Sequence, residues 1–177
     1  MIESRYWKED LLAHARRLRP VENPKRWSER GVVNFEKELM ISFFMVRALL
    51  ERGKLSTKVQ SHRAQVTKYP WNGKPVTILN FADVDELYDF EKSAESSVSI
   101  SFLSNQFVHG RAIYASRDET KNWSHMLLCS DFERKKAIYL VPVTEIQRIF
   151  HLVAEDDITW SRLIYDPKIG DYRRTTS

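Results

Sequence analysis

Cysteine is almost missing: Cys129 is the sole thiol in 177 residues. That excludes an internal disulfide and any zinc module built on several thiolates. A lone cysteine suits a reducing compartment, so a cytoplasmic location is expected. Glycine is also scarce, with five in the chain. No G-x-x-x-x-G-K-[ST] loop, G-x-G-x-x-G turn or G-x-S-x-G elbow occurs, which removes nucleotide-fuelled and serine-hydrolase chemistry and leaves no cofactor to expect. Long apolar runs are absent too. The most apolar segment, Leu39 to Leu50, spans 12 residues and carries Arg47, well short of the roughly 20 that cross a bilayer. The opening Met1-Ile2-Glu3-Ser4-Arg5 leads into an amphipathic stretch rather than a secretory signal, and no repeat or low-complexity tract follows.

What remains is enough to build a core. Apolar residues make up 42% of the chain, with five Trp and nine Phe, and the formal charge is +4. The length favours one α+β domain over residues 1–177. Within it, residues 1–53 are helical, 54–166 hold a sheet, and 167–177 form a loose basic tail.

Helical spacing of Trp7, Leu11, Leu12, Ala15 and Leu18 predicts an amphipathic helix capped by Ser4 and stopped by Pro20. After a Pro20 to Arg30 connection, a second helix runs from an Asn34 cap to Arg52, with Gly53 as its stop. Strands are expected at 57–69 and 75–80, joined through Asn72-Gly73 as a hairpin because both residues tolerate positive φ. Asp83 and Glu86 resemble a capping box for a short helix to about Phe90. The serine-laden stretch from Ser93 alternates as a strand at Val98, Ile100 and Phe102, yet it also fits a helix over 95–109 ended by Gly110, and the helix is preferred. Strands follow at 111–115, 124–129 and 137–141, the last two joined by a charged turn at 131–136. A helix over 144–153 with a Thr144/Gln147 capping box and a last strand at 158–165 complete the order. Hairpins outnumber βαβ units, which predicts a largely antiparallel sheet of about five strands, with helices mainly on one side and an N-terminal helical pair.

Charge is unevenly distributed. Residues 54–82 carry Lys54, Lys58, Arg63, Lys68 and Lys74 with no acid, whereas residues 83–95 hold six acids against Lys92. The two blocks either neutralise each other or leave a basic hairpin bare. In the second case Lys58, Arg63, Lys68 and Lys74, with Trp71 near the tip, would grip an acidic partner, nucleic acid or protein. That binding module, with no membrane partner, is the leading expectation.

A small enzyme, of hydrolase type, is the competing expectation. Asn105 and His109 lie four residues apart on the preferred helix beside Gln106, and His109 has the side chain best suited to general acid/base work. Asp131 and Arg134 are its candidate orienting partners. The binding set accordingly includes Gln106 and Arg134. An inhibitor or immunity-type protein is the third option, with the acidic 83–95 segment as its contact surface. Metal binding is not expected, because His125 and Cys129, four strand residues apart, are separated by roughly 13 Å. Glu133-Arg134-Lys135 with Asp118 upstream resembles the D…E-x-K pattern of metal-dependent nucleases, in which two carboxylates hold the metal and the lysine positions water. That resemblance covers at most a tenth of the chain and puts E-x-K at a hairpin tip instead of on a core strand.

Overall fold

The computed structural model describes residues 3–22, 24 and 28–176. Its element order is α1 (Ser4–Arg17), α2 (Glu29–Glu51), α3 (Thr57–Gln60), β1 (Arg63–Pro70), α4 (Val84–Leu87), β2 (Ala94–Ser99), α5 (Ile100–Val108), β3 (Gly110–Arg117), β4 (Trp123–Ser130), β5 (Ala137–Pro142), α6 (Val143–Ala154), β6 (Ser161–Asp166) and β7 (Asp171–Thr176). Strands β2-β1-β5-β4-β3 form one antiparallel sheet, and β6-β7 form a separate two-stranded ribbon. The fold is α+β with N-terminal helices. Among the described residues no helix is long and apolar enough to cross a membrane.

Strand alternation divides the side chains of the sheet between two covers. One face presents Ala64, Val66, Met126, Leu128, Tyr139 and Val141 to a layer made by α1, α2, α5 and α6. At the centre of that layer Phe43 stacks on Phe107 at 4.0 Å and tilts against Phe150 at 5.2 Å, all three fully buried. Such aromatic contacts are worth about 0.5–1.5 kcal/mol each beyond their buried area. The helical 1–53 part and the sheet therefore share one core.

The opposite face presents Ala112, Cys129 and Ile138, and it is covered by an irregular strap over residues 71–92 through Val76, Leu87 and Tyr88. Tyr88 pins the strap, its hydroxyl donating to the Arg134 carbonyl at 2.9 Å and lying 3.4 Å from Cys129 Sγ.

The strap corrects the expected hairpin. Residues 75–80 form no strand, and β1 pairs with β2 and β5 instead. Asn72-Gly73 does turn the chain, with Gly73 at φ 93°, but it turns it toward Tyr88, which bridges Trp71. The Asn72 carboxamide donates to Glu86 O at 2.6 Å and accepts from Lys74 N at 3.0 Å.

Other boundaries differ for local reasons. Residues 57–60 are a turn of helix capped by Ser56, so β1 starts only at Arg63. Residues 94–99 are a strand, and α5 begins at Ile100 because the Ser99 hydroxyl caps Phe102 N at 3.0 Å. Ser28 rather than Asn34 caps α2, and Glu3 rather than Ser4 caps α1. The expected Pro20 to Arg30 connection lies partly outside the described residues.

Neither capping box forms. Asp83 makes no side-chain cap bond and its helix ends at Leu87. In α6 the N-cap is Pro142, and the Gln147 amide donates to Ala15 O of α1 at 3.1 Å, tying two helices together. The tail is not loose: residues 171–176 are β7, and Thr176 is buried.

Candidate functional site

Three elements converge beside the sheet's helical face to make a cleft of about 290 Å³. α2 contributes Arg47, α5 contributes Phe102, Asn105 and Gln106, and His109 is the C-cap of α5. Ser130 closes β4, and the following turn contributes Phe132 and Glu133. The sequence-expected Asn105, Gln106 and His109 are thus brought together, and Arg47, Phe132 and Glu133 join them.

Each wall residue has a definite role. Arg47 lies across the cleft with its Nε 2.7 Å from Glu51 Oε1, and its NH1 donates to His109 Nε2 at 2.8 Å. A guanidinium only donates, so His109 Nε2 must offer its lone pair and the ring is the neutral Nδ1–H tautomer in this arrangement. Gln106 is buried, and its Oε1 accepts from Ser130 N at 2.8 Å, which makes it a structural clamp between α5 and β4. The half-buried Asn105 makes no side-chain hydrogen bond among the described residues, so both ends of its carboxamide are free for a ligand.

The floor is acidic and tied. Glu133 accepts from Lys136 Nζ at 2.7 Å and from the Tyr139 hydroxyl at 3.1 Å. Burial, together with the Glu133 charge, raises the Tyr139 pKa well above its ordinary value. Phe102 meets Tyr139 edge-on at 5.3 Å, and at the mouth Phe132 is 80% exposed with its ring edge-on to His109 at 6.5 Å. Nothing in the sequence marked Phe132 or Arg47. A phenylalanine in a turn so rich in charge was the available signal.

Asp131 does not line the cleft. Its Oδ1 takes Arg111 NH1 at 2.8 Å and also Arg134 NH1, and Arg134 foremost holds the carboxyl below its usual range. Arg134 is therefore committed to Asp131 and does not contact His109. Both guanidiniums lie on the strap side of the sheet, Arg111 over the Phe81 ring at 5.1 Å, and neither lines the cleft.

The acid-free block does not gather into one grip. Lys58 is exposed on α3, and Arg63 on β1 donates to Ser97. Lys68 shares the helical face with Tyr139, its register partner. Trp71 is half-buried and donates its Nε1–H to Lys74 O at 2.7 Å, while Lys74 faces Glu86 at 3.9 Å. The acidic segment folds onto this block, with β2 along β1 and Glu95 beside Thr67.

Asp118 and Glu133 lie beyond opposite ends of the eight-residue β4, roughly 25 Å apart along a strand, so they cannot share a metal. Among the described residues no group of three or more His, Cys, Asp or Glu side chains converges on a possible ion site. Comparison of the chain with protein-family models, with curated proteins and with solved structures finds no match.

Proposed function

We propose that this protein is a binding module for single-stranded nucleic acid, with the α2/α5/turn cleft as the seat of one unpaired base and its phosphate. The observation that carries the reading is Phe132, 80% exposed at the mouth of a cleft that also holds Arg47, His109 and the free Asn105 carboxamide. A base stacks on the bare ring, the carboxamide meets its polar edge, and the Arg47 guanidinium in the wall meets the phosphate. Lys58, Arg63, Lys68 and Lys74 act at a distance, adding to the basic field that guides the strand.

Catalysis by His109 is the weaker reading. A general base needs the Nε2 lone pair, which Arg47 occupies, and the expected orienting Asp131 is bound to two arginines instead.

Fluorescence anisotropy of labelled single-stranded DNA and RNA across a salt series tests the proposal. Binding that weakens steeply with salt is expected. Phe132→Ala should weaken it about tenfold, since stacking on one aromatic is worth roughly 1–3 kcal/mol. Reversing the charge of Lys58, Arg63, Lys68 and Lys74 together should flatten the salt dependence and leave the Phe132 effect in place. No binding at low salt, or full affinity in both Phe132→Ala and Arg47→Ala, overturns the assignment, and an acidic protein becomes the partner to seek.

A further inference from the structure

The β6-β7 ribbon carries large apolar side chains that nothing among the described residues covers. Leu163, Ile164, Tyr165 and Tyr172 are 51–60% exposed, and Trp160 and Ile169 at its two ends are 52% and 58% exposed. The ribbon is fastened near its base, where Thr57 N donates to Thr176 Oγ1 at 2.9 Å, Thr176 N donates to Thr57 Oγ1 at 2.8 Å, and Arg174 NH1 reaches Gly53 O at 2.9 Å. Two strands alone are marginal in water, and among the described residues no strand pairs with the outer edge of β6, whereas the end of β7 is tied to Thr57.

We propose that a second copy of this chain completes the ribbon, β6 pairing antiparallel with the partner's β6 about a two-fold axis at Ile164. Charge selects both the edge and the register. Full overlap of β7 on itself would bring Arg173 opposite Arg174, a like-charge pair that disfavours that edge. In β6 the register centred on Ile164 sets Leu163 against the partner's Tyr165 and Arg162 against the partner's Asp166. Arg162 has no charge partner within its own chain among the described residues, and Asp166, the one acid on β6, already accepts from Arg173 Nε at 2.5 Å and Lys168 N at 2.9 Å, so the partner's Arg162 would join as a second guanidinium. The resulting four-stranded sheet would align Leu163, Tyr165 and Tyr172 of both copies on one face, and Tyr165 and Tyr172 already meet edge-on at 5.3 Å. The interface is isologous and closed, so it ends at a dimer.

Sedimentation velocity of the full chain at tens of micromolar tests this, with circular dichroism melts confirming that each variant is folded. The wild type is expected to sediment as a dimer. Arg162→Asp and Asp166→Arg should each be monomeric, and the combined exchange should restore the dimer, because each introduced carboxylate then faces an introduced guanidinium across the axis. Ile164→Lys, which leaves the Asp166–Arg173 pair intact, should also be monomeric. A monomeric wild type overturns the proposal. So does a dimer that survives Ile164→Lys, which would place the contact on the exposed ridge of α2 at Met40, Ile41 and Phe44. A combined exchange that stays monomeric overturns the register.

Discussion

β5 and β6 are both six-residue strands with a central apolar run, Ile138-Tyr139-Leu140 in one and Leu163-Ile164-Tyr165 in the other, yet Ile138 and Tyr139 are buried while Leu163, Ile164 and Tyr165 are more than half exposed. The difference lies in what covers each strand. β5 sits in mid-sheet, with a helical layer on one face and the strap on the other, whereas the ribbon has neither. A strand's own residues state that it can be buried, and the neighbouring elements decide whether it is.

Graded substitutions test that contrast. Under the helical layer, Phe43→Ala removes the ring between Phe107 and Phe150 and should cost about 3–5 kcal/mol in urea denaturation. A loss below about 1 kcal/mol would mean that the layer repacks freely. Under the strap, Tyr88→Phe deletes the bond to the Arg134 carbonyl and should cost about 1 kcal/mol by the same measurement.

The helical layer also has a pH-sensitive seam. His14 Nδ1 meets Ser42 Oγ at 2.5 Å, and burial lowers its pKa below the ordinary value despite the nearby Glu38. The unfolded chain therefore takes up a proton first on acidification. The His14 contribution is present above the ordinary histidine range and is lost as pH falls through it. His14→Gln should flatten the dependence of the melting temperature between about pH 7 and pH 5. In the ribbon, which no layer covers, Leu163→Ser should change the stability of the isolated monomer by less than about 0.5 kcal/mol in the same denaturation assay. A larger loss would show that the ribbon is integral to the core.

The α+β class, the sheet of five strands and most helices were legible because period-2 and period-3.6 patterns survive in single elements, as in β3 to β5 and α6. What was hidden was partner choice. Asn72-Gly73 encodes a turn but not its destination, and the return segment 75–80 became strap because β2 and β5 already flank β1. Gln147 and Ser28 show the same limit in capping, where a tertiary contact or an upstream serine prevailed over the local motif. Of the site, Asn105 and His109 were visible through their helical spacing. Arg47 was not, since its partner is 62 residues away, and Asp131 was misjudged because nothing local announces that Arg111 and Arg134 both claim it.

The strap is also a lid over the chain's one thiol. Cys129, the lone thiol, is buried beneath Tyr88, and that burial raises its pKa, so a closed strap shields it in both access and ionisation. Labelling by an aromatic disulfide therefore reads how Cys129 is uncovered: a rate that follows global stability across denaturant means unfolding, and a rate insensitive to low denaturant means that the 71–92 segment lifts by itself.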